Sequence, residues 1–323
     1  MRRSALVRAC ARRRSRPCLC LFPRSTSMER ELWRAIVAAI RRLPRRSPRG
    51  GVYDNGEVLA VLFWAALWDR SILWASQRRN WPMQAWRRRL PHQSTLSRRL
   101  RDPDLLEDLS LMLRFIQRAI GGASDGIAIL DGKPLMISEY THDSDAKTGR
   151  GAGRYAKGYK FHALIDMLGR LLAWRVEPMN VAECVVAADL VSEAARVGTL
   201  PANVTILGDS SYDSNPLHQA VTQAQAHLIA PRRRPDRPLC KNRRHHPGRL
   251  ESVARTEHDP TSSRIAFTQR STIERYFGTL ASYGAGLYDL PSWVRRLHRV
   301  RPWVAAKLVI NAARITRRHQ LAA

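Results

Sequence analysis

Two apolar segments of the sequence each end on an acidic residue, and these residues are the first candidates for chemistry. The run Gly126-Ile-Ala-Ile-Leu-Asp131 ends on Asp131, and the run Val204-Thr-Ile-Leu-Gly-Asp209 ends on Asp209. Short apolar runs of this kind predict buried strands. A carboxylate at the end of a buried strand is costly unless positive charge lies beside it. A divalent cation would supply that charge, so the pattern indicates a metal site where two strands end.

A third carboxylate, Glu274, lies on a segment with helical periodicity in which Ile273, Phe277 and Leu280 form the buried side. Arg270 is four residues earlier and therefore shares a helix face with Glu274. Three carboxylates on two strands and one helix suit a two-metal phosphoryl-transfer site, because hard divalent cations take oxygen ligands and two ions hold the attacking and leaving oxygens. The chemistry indicated is hydrolysis or transesterification of DNA.

Each of these acidic residues also has a structural interpretation. Asp131 precedes a glycine, and Asp-Gly dipeptides are common in turns. Asp209 is a candidate cap for the helix that follows it, and Glu274 is a candidate partner for Arg270 on a solvated face. The three acidic residues occur together on the two strand ends and the helix that such a metal site would use. This combination favours the catalytic interpretation over three separate structural ones.

The second part of the chain alternates short apolar runs with helical segments, which predicts an α/β fold with a mixed sheet and flanking helices. Leu168-Gly169-Arg170 joins the second and third strands as a hairpin. In chain order the predicted elements are strands at 126–131, 157–168 and 170–177, a helix at 181–197, a strand at 204–209, a helix from about 215 to 226, a strand at 228–230 and the helix that carries Glu274.

The first part of the chain has helical periodicity from Leu32 to Ile120. We therefore predict a helical DNA-binding domain over 28–122. It is followed by a catalytic domain over 123–314 with a basic insertion around 231–265, and by a basic tail over 315–323. Residues 1–27 are rich in arginine and contain no acidic residue until the helical pattern that Met28 opens. They are predicted to be a disordered arm that grips DNA or, as the favoured interpretation, a spurious extension from a start site placed too early.

One segment of the helical part has a pattern typical of a DNA-recognition helix. Between Ser94 and Arg101 the sequence predicts a short helix with Leu96 and Leu100 facing inward and with Arg98 and Arg101 facing out. A solvated arginine-rich face is the alternative. Five tryptophans of the same part are predicted to form its core rather than a base-stacking surface: Trp64, Trp68, Trp74, Trp81 and Trp86.

The net charge of the chain is +28, from 55 Lys and Arg against 27 Asp and Glu in 323 residues. So large an excess favours a polyanionic partner, of which nucleic acid is the first candidate. The longest apolar run, Val58 to Trp68, is too short to span a bilayer, so we expect no membrane partner and a cytoplasmic, nucleoid-associated protein. The five cysteines have no paired spacing that would indicate a zinc site. Between the second and third carboxylates, Arg232, Arg233 and Arg234 are candidates to hold a DNA strand, although such runs are usually solvated loops.

In their surroundings these residues resemble the motifs of bacterial insertion-sequence transposases of the DDE class, in the branch whose last motif reads Y-x2-R-x3-E-x6-K. The resemblance covers Gly126 to about Ala312. The matching segments are Ile127 to Lys133 for the first-aspartate strand, Gly158 to Gly169 for the hairpin pattern G-x-K-x-H-x-x-x-D-x-x-G, Leu207 to Ser214 for the second-aspartate motif and Arg270 to Phe277 for the R-x3-E portion of the last motif.

This resemblance implies a ribonuclease-H-like catalytic core, the fold that the element order also suggests. It implies that Asp131, Asp209 and Glu274 are the catalytic metal ligands and that Arg270 contacts the DNA backbone near them. Lys160, the lysine of the hairpin pattern, is a further candidate DNA contact. Mg²⁺ is the expected cofactor, with Mn²⁺ as its substitute.

The sequence departs from the branch pattern at two positions. The tyrosine position is Phe267 and the lysine position is Ala281. Residues at these positions ordinarily hydrogen-bond DNA phosphates, so their loss predicts weaker binding of DNA ends or an inactive copy.

We predict a DNA transposase that cleaves transposon ends in a metal-dependent reaction and joins the freed 3′-hydroxyl to target DNA. Its expected partners are the terminal repeats and the target DNA, and its expected working form is a homodimer on DNA. Two alternatives stay open: a non-catalytic DNA-binding protein derived from a decayed transposase, and a ribonuclease-H-like nuclease. Strand transfer separates the transposase from both, and metal-dependent cleavage separates the nuclease from the DNA-binding protein.

Overall fold

The first part of the chain is helical. The computed structural model describes residues 27–322 except for 48–50, 83–88, 122–125, 152, 241–243, 260, 262–263, 265–266 and 282–285, so the predicted extension over 1–27 lies outside the described residues apart from its last residue. The helices of the first part are α1 at Ser27–Arg41, α2 at Asn55–Leu67, α3 at Ile72–Ala75, α4 at Gln93–Arg99 and α5 at Pro103–Gln117.

Helix α2 is the central helix of this part. It begins at a capping box, in which Glu57 N–H donates to the Asp54 carboxylate at 2.8 Å and Asp54 N–H donates to the Glu57 carboxylate at 3.1 Å. Residues 58–67 of α2 are all buried, as expected for a helix that other elements surround. Trp64 stacks on Trp81 with ring centroids 4.6 Å apart. The predicted tryptophan core is confirmed for Trp64 and Trp81. Two further tryptophans, Trp68 and Trp74, are partly buried and pack against the same cluster. Trp86 lies outside the described residues.

One mixed sheet follows. Its strands are β1 at Ile127–Met136, β2 at Lys147–Gly151, β3 at Arg154–Asp166, β4 at Leu171–Pro178, β5 at Thr205–Leu207 and β6 at His227–Ile229. β1 is antiparallel to β3 and parallel to β5, and β5 is parallel to β6. β2 and β4 both pair with β3. The main sheet therefore has the order β4-β3-β1-β5-β6, the mixed sheet expected of a ribonuclease-H-like core.

Helices cover both faces of this sheet. They are α6 at Glu183–Arg196, α7 at Asn215–Gln223, α8 at Pro247–His258, α9 at Ser271–Ala281 and α10 at Leu297–Ala322. On one face Leu190 of α6 and Val221 of α7 share a hydrophobic cluster with Ile206 of β5. On the other face Ile129 and Phe161 share a cluster with residues of α1, α2, α5, α9 and α10. The helical first part and the sheet are thus joined by a common core.

Helix α10 carries a buried lysine into that core. Lys307 is 1% exposed; its Nζ donates to the Ala66 carbonyl at 2.7 Å and pairs with Asp69, and it lies 4.9 Å from the centroid of the Trp303 ring. Burial lowers the pKa of Lys307 to about 8, although the Asp69 carboxylate acts in the opposite direction. The contact of Lys307 with Asp69 joins two residues that are 238 positions apart in the chain.

The predicted hairpin is confirmed as β3 and β4, and the helices predicted at 181–197 and 215–226 are confirmed as α6 and α7. The helix predicted after Pro91 is α4, with Leu96 and Leu100 buried and with Arg98 and Arg101 exposed. Strand β2 and helix α8 were not predicted. Among the described helices, none is both long and apolar enough to cross a membrane.

Candidate active site

The pairing of β1 with β5 brings Asp131 and Asp209 together. The strands are parallel, with Ile129 opposite Leu207, and each aspartate follows two residues later. Because alternate residues of a strand point to the same face, the two carboxylates continue this pair on one side of the sheet. β1 does not end at Asp131, as the sequence predicted, but continues to Met136. The turn interpretation of Asp131 is wrong for the same reason: Gly132 and the residues after it pair with β3.

The Asp131 carboxyl is half-buried and lies among negative charges. Its pKa is raised to about 6, first by burial and then by the charges of Asp209 and Glu183. Two contacts act in the opposite direction: Gly132 N–H donates to Asp131 Oδ1 at 2.8 Å, and Arg270 Nη2 lies 3.9 Å from Asp131 Oδ2. Burial and the neighbouring carboxylates therefore raise the pKa of Asp131 more than Arg270 and the Gly132 N–H lower it.

Asp209 has a capping role as well as a place beside Asp131. Its Oδ1 accepts hydrogen bonds from Ser211 N–H at 2.7 Å and from Ser211 Oγ at 2.5 Å, and it caps the short 3₁₀ turn Ser210–Tyr212. Asp209 therefore caps this turn and not the following helix α7, as the capping interpretation had it, since the residue at the N-cap of α7 is Ser214. Among the described residues, Asp209 Oδ2 has no hydrogen-bond partner, which leaves this oxygen available to a cation.

Glu183, the first residue of α6, is a carboxylate of the site that the sequence did not indicate. Its Oε2 accepts from Ser211 Oγ at 2.8 Å and its Oε1 pairs with Lys160. Burial acts to raise the pKa of Glu183, but the hydrogen bonds from Lys160 and Ser211 lower it overall. Lys160, predicted as a DNA contact, is only 6% exposed and is directed to Glu183. A Cβ at Gly132 would lie 3.0 Å from Lys160 Cδ, so glycine leaves room for this lysine.

Two buried polar side chains border the carboxylates. His162 lies opposite Gly132 in the β1–β3 register, and burial lowers the pKa of its imidazole to about 4. Tyr212 is fully buried, and its pKa is raised by burial and then by Glu183, Asp131 and Asp209. Neither ring nitrogen of His162 nor the Tyr212 hydroxyl has a hydrogen-bond partner in the described part of the chain. Unsatisfied buried polar atoms beside clustered carboxylates indicate a place where polar groups bind.

The donor set of the site fits a hard divalent cation. Carboxylate oxygens are the ligands that Mg²⁺ and Mn²⁺ prefer, and a cation would relieve the repulsion that raises the pKa of Asp131. Asp131 and Asp209 each follow, by two residues, a paired residue of the neighbouring strands β1 and β5. Within the described residues, no three His, Cys, Asp or Glu side chains are close enough to form a metal-binding group.

Glu274 has an exposed side chain in the first turn of α9. In the described part of the structure no hydrogen bond or ion pair joins it to Asp131 or Asp209. Arg270, just before the helix, does reach Asp131. Side-chain contacts therefore join Arg270 to Asp131 and, through Ser211, the unexpected Glu183 to Asp209, while α9, which carries Glu274, packs against β1.

The other predicted basic contacts divide into two groups. Arg98, Arg101, Arg233 and Arg234 are exposed. Arg232 instead pairs with Glu257, and its Nη2 donates to the Pro235 carbonyl at 2.8 Å. Arg232 thus holds the backbone of the basic segment, while its two neighbours present their charge to solvent.

Comparison with known proteins places this site in context. The profile of the family described as "Transposase DDE domain" matches residues 122–299, which include all three predicted carboxylates. The chain is similar to a solved cryo-EM structure of the piggyBac transposase synaptic complex with hairpin DNA. The TM-score is 0.45 and the sequence identity is 13%, over 91% of this chain and 73% of that chain. No curated protein matches the sequence.

Proposed function

Because this chain belongs to the family of transposase DDE domains and is a DNA transposase, we propose that it cleaves DNA at transposon ends and joins the freed 3′-hydroxyl to target DNA at Asp131, Asp209 and Glu274. The observation that supports this site most directly is the register of β1 and β5, in which Ile129 pairs with Leu207 and each aspartate follows two residues later. Both lie inside the segment that matches the family.

Transposases of this family use divalent metal ions, and we propose Mg²⁺, or Mn²⁺ in its place, for this chain. Asp131 and Asp209 would hold the ion, with Glu274 as the third ligand on the strength of the family resemblance. When bound, such ions lower the pKa of the attacking water or hydroxyl and stabilise the leaving oxygen.

Arg270 serves two purposes in this proposal. Its Nη2 offsets the charge of Asp131 at 3.9 Å. A quarter of its side chain is exposed, and its Nε has no hydrogen-bond partner among the described residues, so we assign the exposed part of the guanidinium to a DNA phosphate beside the reacting bond.

Glu183 is a positioning residue in the same proposal. One of its oxygens is held by Lys160 and the other by Ser211, and the Ser211 hydroxyl also contacts Asp209. Lys160 and Glu183 therefore fix the hydroxyl that orients the Asp209 carboxylate, as supporting hydrogen bonds do around metal ligands.

The proposed partners are the terminal repeats and the target DNA. A homodimer on DNA is the proposed working form, because two transposon ends need two sites, and the nucleoid is its proposed location. A second candidate is DNA binding without cleavage. It is favoured by the alanine at position 281 and by the exposed Glu274, which has no ion pair in the described part of the structure.

Asp209→Asn tests the proposal, with Asp189→Asn as a control that makes the same change on an exposed residue of α6. Duplexes that carry the inverted repeats flanking the open reading frame are incubated with Mg²⁺, and cleavage and strand transfer are measured alongside DNA affinity. We expect Asp209→Asn to abolish both reactions and to retain affinity, because only a metal ligand is neutralised. An equal loss of affinity would mean that Asp209 serves folding, and cleavage without strand transfer in the unsubstituted protein would identify a nuclease.

A further inference from the structure

Strand β2 and the first residues of β3 form a hairpin that folds back toward β1. Residues 154–157 of β3 pair with β2, whereas β1 joins β3 only from Gly158, which lies opposite Met136. β1 runs from Asp131 to Met136, which is about 17 Å of strand at roughly 3.4 Å per residue. A Cβ at Gly151 would lie 3.2 Å from Pro134 Cβ, so the hairpin lies against the part of β1 that follows the proposed catalytic aspartate.

This hairpin and the loop before it carry exposed aromatic and basic side chains, which we call the hairpin surface: Tyr140, Lys147, Arg150, Arg154 and Tyr155. Tyr140 is 93% exposed and Tyr155 is 75% exposed. Arg150 lies directly opposite Tyr155 in the β2–β3 register. Lys157 Nζ donates to the Thr141 carbonyl at 2.8 Å, which ties the loop that carries Tyr140 to the hairpin.

The cations of the hairpin surface are not neutralised by the protein. In the described ranges Lys147, Arg150 and Arg154 have no ion pair. Asp143 and Asp145 of the same loop are directed elsewhere: Arg296 N–H donates to Asp143 Oδ2 and Leu297 N–H donates to Asp145 Oδ2, each at 2.9 Å. Glu139, beside Tyr140, is the exposed carboxylate of the loop. The surface therefore keeps an excess of positive charge.

Exposed tyrosine rings next to unpaired cations suit one kind of ligand. A single exposed aromatic residue is ordinary, but these two rings gain no packing from the fold and are held on a hydrogen-bonded hairpin and its tethered loop. Unpaired nucleotides offer base faces to the rings and phosphates to the cations. Duplex DNA offers phosphates but keeps its base faces stacked inside.

We propose that the hairpin surface binds unpaired nucleotides of the DNA substrate. Tyr140 and Tyr155 stack on bases, and Arg150, opposite Tyr155 on the same face of the hairpin, contacts the phosphate beside them. Lys147 and Arg154, on the other face, contact phosphates farther along the strand. The inference rests on the proposed function, since it takes DNA as the substrate, and it assigns the hairpin the single-stranded part of that substrate.

Fluorescence anisotropy in EDTA tests the hairpin apart from catalysis. The probes are a mixed-sequence duplex and the same duplex with a three-nucleotide single-stranded extension, each titrated over a series of salt concentrations. The variants are Tyr155→Ala, Tyr155→Phe, and Arg150→Gln combined with Arg154→Gln. Arg196→Gln is the matched control, because Arg196 is exposed and lies about 20 Å along α6 from Glu183.

We expect Tyr155→Ala to weaken binding of the extended duplex roughly 5- to 150-fold, to leave the plain duplex unchanged and to keep the salt slope. Tyr155→Phe keeps the ring and should bind like the unsubstituted protein. The double arginine variant should reduce the slope of log affinity against log salt by roughly 1.4 to 1.8, for two lost phosphate contacts.

Equal weakening of both probes by Tyr155→Ala would overturn the proposal, as would a salt slope in the arginine variant no different from that of Arg196→Gln. Because no metal is present, these results do not depend on cleavage. If Tyr155→Ala binds the extended duplex as tightly as the unsubstituted protein does, and the unsubstituted protein still cleaves DNA, this inference is wrong and the proposed function stands.

Discussion

The hydroxyl of Ser211 lies 2.8 Å from Oε2 of Glu183, and the same hydroxyl contacts Oδ1 of Asp209. A serine hydroxyl has one proton, so it donates to one of these carboxylates at a time. Since Lys160 holds the other oxygen of Glu183, the position of Glu183 determines how Ser211 is presented to Asp209.

Ser211→Ala should lower the rate of metal-dependent cleavage by about 10- to 100-fold, because supporting hydrogen bonds around metal ligands have effects of that order. Ser211→Thr restores a hydroxyl and should recover most of the rate. The Mg²⁺ concentration that gives half-maximal cleavage should rise in the alanine variant and return in the threonine variant. If alanine and threonine behave alike, the hydroxyl does not orient Asp209.

Glu274→Gln should abolish cleavage and change the free energy of unfolding by less than about 0.5 kcal/mol, because the side chain is exposed. Glu183→Gln is the comparison: it should destabilise the protein, since Lys160 is buried and would lose its ion partner. Chemical denaturation and a cleavage assay on both variants measure the two effects. Full cleavage by Glu274→Gln would remove Glu274 from the catalytic residues.

Asp131→Asn should stabilise the metal-free protein while it abolishes cleavage. The carboxyl is half-buried near the charges of Asp209 and Glu183, and an uncharged amide of the same shape removes both the desolvation of a charge and that repulsion. In EDTA we expect the unfolding midpoint to rise by a few degrees, at roughly 2–4 °C for each kcal/mol. Added Mg²⁺ should raise the midpoint of the unsubstituted protein more than that of the variant. A lower midpoint in EDTA would show that Asp131 contributes to folding.

Ala281→Lys should tighten the binding of transposon ends. Position 281 is the last residue of α9, and Glu274 and Gly278 on the turns before it are exposed. A lysine there would add one phosphate contact and steepen the dependence of log affinity on log salt by roughly 0.9. An unchanged slope would place this face of α9 away from DNA, and tighter binding without cleavage in either form would favour the DNA-binding candidate.

Lys307 should make the protein more stable as the pH rises from about 8 toward 10.5. Its pKa is lowered to about 8 by burial, from an ordinary value of 10.5. Between these values the unfolded chain binds the proton and the folded chain does not, so the free energy of unfolding increases with pH by up to roughly 1.4 kcal/mol per pH unit. Denaturation of the protein and of Lys307→Met across this window checks the sign. The contribution should be missing in the methionine variant, and identical pH profiles would contradict the assignment.

Much of the sheet could be predicted because its strands are apolar and locally bounded. The β3–β4 hairpin follows from two apolar runs separated at Gly169, and the two aspartates follow from their positions after such runs. β2, with the sequence Lys-Thr-Gly-Arg-Gly, has no apolar alternation, and it forms a strand because β3 supplies a partner. For α8 a signal was present, since Pro247 stands at the first helical position after the capping residue His246.

Glu183 could not have been found from local sequence. Its role depends on Lys160 and Ser211, which are 23 and 28 residues away and come close only when α6 crosses the sheet. The sequence assigned Lys160 to DNA and did not predict its ion pair with Glu183. Periodicity predicts the face that a residue occupies, but it does not predict which charged side chain of another element lies next to it. The position of Glu274 relative to the aspartates is likewise a long-range property of α9.

The core that α10 shares with the first helices and the sheet affects the distance along bound DNA between the recognised sequence and the cleaved bond. Arg98 lies on α4, Arg101 follows it, and Asp131 lies on β1. No hinge is needed to relate them, because α2, α5 and α10 pack both parts into one hydrophobic cluster. If α4 binds a terminal repeat, the packing between the two parts determines the number of base pairs between the recognised sequence and the cleaved bond. Repeats with one inserted base pair should then be cut one base pair nearer the recognised sequence than the natural junction.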